Sequence, residues 1–109
     1  MADVTVDLDS IGKRILLGRD NGQAARVHFD LDQYSPDVDR IKLTVSPKIS
    51  GKSTHVNSSF FLGMFAKDIQ SLNTSNAFFS YVDIGEIPDY IQPKIKRAVD
   101  IALAEQRFR

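Results

Sequence analysis

Two neighbouring hydroxyls, Ser58 and Ser59, stand at the head of an apolar run, directly after Asn57. If a helix begins there, its first N–H groups lack partners and its positive end attracts anions. A phosphoserine at that place would suit the helix and would change the surface by about two charges. Plain N-capping by Asn57 or Ser58 accounts for the same residues. Just upstream, Ser50-Gly51-Lys52-Ser53-Thr54 invites comparison with a phosphate loop. Such a loop has an earlier glycine, at a position held here by Ser46, and a helix directly after the lysine. Thr54 to Asn57 intervene instead, so Lys52 and Ser53 stand only as candidate anion-binding residues in a polar loop.

Other polar groups offer less. His28 and His55 are isolated, without a His-x-x-x-His metal spacing. No nucleophile elbow surrounds Ser58 or Ser59. Asp7 and Asp9, like Asp30 and Asp32, alternate as acids on a solvated strand face do, which argues against a catalytic carboxylate pair. Lys94, Lys96 and Arg97, with Arg107 and Arg109, form an ordinary solvated helix face or a surface for an anionic partner. The cluster Phe60-Phe61-Leu62-Gly63-Met64-Phe65 is wider than one core face requires. It reads as a deeply buried helix or as a docking surface. Gly63 within it costs stability relative to alanine, which suggests a close approach of backbones.

Composition narrows the classes. With 109 residues, the chain has the size of one domain and one core. Apolar residues at 42 % and charged residues at 26 % are ordinary for a globular protein and argue against disorder. Lys and Arg together number 14, as do Asp and Glu, so the positive excess of a dedicated nucleic-acid binder is missing. Without cysteine there is no disulfide, thiolate zinc site or cysteine nucleophile. No apolar stretch is long enough to span a membrane, and Met1 to Asp9 is acidic, unlike a signal peptide. These features place the chain in the cytoplasm as an expectation.

The elements that must position these groups follow from periodicity. Val4, Val6 and Leu8 alternate with polar residues, as do Ile41, Leu43 and Val45, and both read as half-buried strands. Pro47 ends the second. Ile15 to Leu17 is a short apolar run ending at Gly18. The next segment reads two ways. Asp20 as N-cap with Gln23 predicts a helix with Gly22, Ala25 and Phe29 on one face. Asn21-Gly22 with Val27, Phe29 and Leu31 predicts a hairpin. Ser58 to Leu72 has helical spacing at Phe61, Met64, Phe65, Ile69 and Leu72. Ala77 to Ile84 has strand composition. A last helix runs from about Tyr90 or Pro93 to Gln106, with Ile91, Ile95, Ala98, Val99 and Ala102 on one face. Strands alternating with helices predict an α/β domain whose sheet contains parallel strands.

Two stretches carry a resemblance. Gly18-Arg19-Asp20-Asn21-Gly22-Gln23-Ala24-Ala25-Arg26 resembles the Gly-Arg-Glu-Asn-Gly-x-x-Ala-Arg segment of a bacterial STAS-like family of uncharacterised domains. Asn57 to Phe65 resembles that family's Ser-Ser-Phe-Phe-Leu-Gly-Leu-Phe signature, in the same order and spacing. The similarity runs from about Ile15 to Leu103 and is loose towards its end. It implies a single STAS-like domain over residues 1–109, with a small mixed sheet and helices mainly on one face. It also implies a helix from about Asp20 to Asp30. STAS domains include anti-sigma-factor antagonists, which bind kinase-type anti-sigma factors and present a phosphorylatable serine at a helix start. Ser58 and Ser59 match that position, with Asn57 in place of the pattern's acid and Phe60 in place of its glycine.

The resulting expectation is a non-catalytic regulatory module, not an enzyme, with no cofactor and no metal. It would bind a protein partner, in the histidine-kinase-like ATPase class that the resemblance implies, through Asn57, Ser58, Ser59, Phe60 and Gly63. A membrane and nucleic acid are not expected as partners, and self-association stays open. Two other readings stand beside it. One is an anion- or nucleotide-binding domain using the Lys48–Asn57 loop and the helix start. The other is a small inhibitory protein that masks a partner's surface.

Overall fold

The computed structural model describes residues 2–13, 15–49 and 52–107. Strand β1 (Ala2–Asp7) leads through a 3-10 turn at Leu8–Ile11 into β2 (Ile15–Leu16) and helix α1 (Arg19–His28). A second 3-10 turn at Leu31–Gln33 precedes β3 (Asp39–Thr44). A small hairpin, β4 (Lys48–Ile49) and β5 (Lys52–Ser53), is followed by β6 (His55–Val56). Helices α2 (Ser58–Leu72) and α3 (Ser75–Tyr81), strand β7 (Val82–Asp83) and helix α4 (Gln92–Arg107) complete the chain.

The result is an α/β fold. The main sheet has three strands in the order β1-β3-β7. Both pairings are parallel, with Val4 opposite Ile41, Val6 opposite Leu43, and Ile41 opposite Val82. A second parallel pair joins β2 to β6. Antiparallel pairing is confined, among the described residues, to the β4–β5 hairpin. Alternation along β1 and β3 decides where the helices go. Val6, Ile41, Leu43 and Val45 are buried, whereas Asp3, Thr5, Asp7 and Arg40 are exposed. Parallel sheets are commonly covered on both faces. Here one face is packed, and the other stays polar and open, with Lys42 paired to Glu86 at 3.2 Å across it.

Helix α2 is central to the packing and lies against both α1 and α4. Phe60, Phe61, Leu62, Met64, Phe65 and Ile69 of α2 are all buried. Phe78 of α3 adds an edge-to-face ring contact to Phe65, with centroids 5.5 Å apart. Helix α4 closes the core with Ile95, Ala98, Val99 and Ala102. No helix of the described residues is long and apolar enough to cross a membrane.

Several elements depart from the sequence expectations, each for a local reason. The segment after Gly18 is the helix of its two readings, as the resemblance implied, but it runs from Arg19 to His28, with Gly18 as N-cap in place of Asp20. Gly18 has φ +90°, which side-chain-bearing residues rarely adopt. The Ala77–Ile84 segment is mostly helix α3, and only Val82 and Asp83 pair with β3. Thr74 accepts a hydrogen bond from the Ala77 N–H and nucleates that helix, after Asn73 has ended α2 at φ +69°. The Lys48–Asn57 loop holds three short strands. Helix α4 begins at Gln92, so Tyr90 lies in the preceding turn and Pro93 is the second helical residue.

Candidate functional site

Strands β2 and β6 run side by side and each feeds a helix almost at once. The starts of α1 and α2 are therefore neighbours that point the same way. Asn57 fastens them. Its side-chain oxygen accepts from the Phe60 N–H at 2.9 Å, capping α2, and from the Gly18 N–H at 3.1 Å. Its own N–H donates to the Leu16 carbonyl at 3.4 Å. Ser58 and Ser59 sit beside this junction, each half-buried, in the first turn of α2.

Behind the junction the two helices lie backbone against backbone. A Cβ added to Gly22 would collide with the Phe60 carbonyl, and one added to Gly63 would collide with the Arg19 carbonyl. The glycines are thus reciprocal: each makes room for the other helix's backbone. Arg26, at the far end of α1, fixes the same pair. Its guanidinium donates to the Met64 carbonyl at 2.8 Å and to the Asp68 carboxylate at 2.6 Å. It also binds Asp32 at 2.7 Å, an acid shared with Lys67. Burial disfavours its charge, but the two carboxylates outweigh burial and leave its pKa raised. Hydrogen bonds from Arg26 and Lys67 hold Asp32 below the usual carboxylate range.

The predicted site residues therefore separate by role. Asn57, Ser58 and Ser59 come together at an accessible junction. Phe60 is turned into the core and is 1 % exposed, whereas Gly63 is half-buried and packs its backbone against α1. The apolar run Phe60–Phe65 is a core helix and not a docking surface, because α1, α3 and α4 use nearly its whole circumference. The aspartates are structural. Asp7 caps the first 3-10 turn, Asp9 accepts from the Ser46 N–H and hydroxyl, Asp30 adopts φ +50°, and Asp32 serves Arg26. His28 meets Phe29 edge to face, with ring centroids 4.8 Å apart. The side chains of Lys52 and Arg107, and all of Arg109, lie outside the described residues.

Ser53 has a setting that sequence did not reveal. It lines a cleft of about 450 Å³ together with Thr54, His55, Tyr90 and Lys94. The Tyr90 hydroxyl donates to the Thr54 carbonyl at 2.8 Å, with the Pro47 carbonyl 3.2 Å away. This pins its ring against the hairpin although the residue is 48 % exposed. Tyr90 and Thr54 are 36 residues apart, so no local motif could bring them together on paper.

No family model, curated protein or solved structure matches this chain.

Proposed function

We propose that the chain is a non-catalytic regulatory module of the STAS-like kind, binding a protein partner through the joined starts of α1 and α2. The observation that carries this reading is the shared Asn57 oxygen, which holds two helix starts in one frame and leaves Ser58 and Ser59 accessible at its edge. Two parallel helix starts also sum their positive ends, which favours an acidic or phosphorylated feature on the partner. Phe60 and Gly63 act behind that surface by holding α2 rigidly against α1. The family resemblance of the two motif segments supports a regulatory partner, and a histidine-kinase-like ATPase is the class it implies. The absence of cysteine suits a cytoplasmic setting.

Ser59→Glu is the direct test. A carboxylate in the first turn of a helix is compatible with the fold, so circular dichroism should be unchanged. The tagged wild-type protein, purified gently from the cells that express it natively, should retain a stoichiometric ATPase that the folded variant loses. Equal recovery of the same partner by both proteins would remove the junction from consideration.

A further inference from the structure

The cleft between the hairpin and the start of α4 gathers polar groups, one of which has no hydrogen-bond partner among the described residues. Thr54 is 1 % exposed, and its hydroxyl is a buried side-chain polar atom with no hydrogen-bond partner among the described residues. A buried hydroxyl left unpaired costs free energy, so such groups are usually satisfied. Lys94, half-buried in the first turn of α4, makes no ion pair among the described residues. Ser53 adds a second hydroxyl to the lining, and His55 an imidazole. No carboxylate lines the cleft to neutralise this positive character. One wall is the half-exposed Tyr90 ring, immobilised by its hydroxyl bond to the Thr54 carbonyl.

We infer that this cleft is a binding site for a small phosphomonoester carried on a flat ring. Phosphate offers three acceptor oxygens, against a carboxylate's two, for the Lys94 ammonium, the Ser53 hydroxyl and the buried Thr54 hydroxyl, which comes within reach once its side chain turns towards the cleft. The pinned tyrosine ring provides a stacking wall at little entropic cost. A volume of about 450 Å³ is in the range of small-molecule sites. This site is separate from the Ser58–Ser59 junction and does not depend on the protein partner proposed above.

Phenyl phosphate is the probe, read by amide chemical shifts in a titration of the full chain. Saturable shifts at Thr54, His55, Tyr90 and Lys94 are expected, with inorganic phosphate binding more weakly and phenol not at all. Lys94→Gln should weaken the affinity roughly ten-fold or more, as loss of a charge-assisted bond does. Thr54→Val keeps the side-chain shape and removes the unpaired hydroxyl. It should fold with an unchanged or higher unfolding midpoint while binding phenyl phosphate less tightly. The inference is overturned by shifts that do not saturate at these amides, by equal affinity in the folded Lys94→Gln protein, or by inorganic phosphate binding as tightly as phenyl phosphate. A Thr54→Val protein that unfolds more readily would likewise overturn it, by showing that the hydroxyl already serves the fold.

Discussion

Removing the Asn57 carboxamide takes an acceptor from two helices at once. Asn57→Ala uncaps α2 and strands the Gly18 N–H, which is part-buried. A lost cap and a lost backbone partner together should cost about 2 kcal/mol in urea unfolding. Asn57→Asp keeps an acceptor and adds a negative charge at two positive helix ends, so its midpoint should stay near that of the wild type. A large loss in the aspartate variant would show that the amide nitrogen, not the oxygen, matters. At this scale the sequence was half legible. Asn57 reads as a cap from its place before an apolar run. Its second bond reaches Gly18, 39 residues away, and nothing local announces it.

At the scale of elements, the reciprocal glycines set how closely α1 and α2 approach. Gly22→Ala and Gly63→Ala each drive a methyl into backbone, which cannot turn aside as a side chain can. Each should destabilise by about 1–3 kcal/mol or more in chemical denaturation. The double variant should cost less than the sum, because the first methyl already separates the helices for the second. Strict additivity would contradict a shared interface. Gly63 hinted at close packing from sequence, since an interior helix glycine needs a reason. Its counterpart Gly22 was obscured by the rival hairpin reading of Asn21-Gly22. The segment Phe78-Phe79-Ser80-Tyr81-Val82 misled for a different reason. Its aromatic residues favour strands on average, but the Thr74 cap starts a helix that places Phe78 and Tyr81 one turn apart and inward. The cleft of Thr54, Tyr90 and Lys94 could not be read ahead, because it forms only when the hairpin meets the start of α4.

For the molecule as a whole, the order of strands and helices along the chain announces the α/β class, and the alternation within β1 and β3 announces one buried and one polar sheet face. The buried side carries a titratable group that links global stability to alkaline pH. Burial, joined by the Asp68 and Asp39 carboxylates, pushes the Tyr81 phenol from 10.0 to about 12. The folded state therefore holds this proton more tightly than the unfolded chain does. Its contribution is fully present below pH 10 and is lost as pH rises towards 12. The loss should approach about 2–3 kcal/mol, seen as a falling unfolding midpoint over that window. Tyr81→Phe should flatten the fall over the same window. An equally steep decline in the variant would assign it to other groups.

The shared oxygen of Asn57 also has a kinetic consequence. The amides of Gly18 and Phe60 lie far apart in sequence but hang on one acceptor. Their hydrogens cannot be released independently by movement of that side chain. In deuterated solvent the two amides should show matching protection, each relative to its own intrinsic exchange rate, because the same swing of the Asn57 side chain opens both. A ligand or partner seated at either helix start would then slow both.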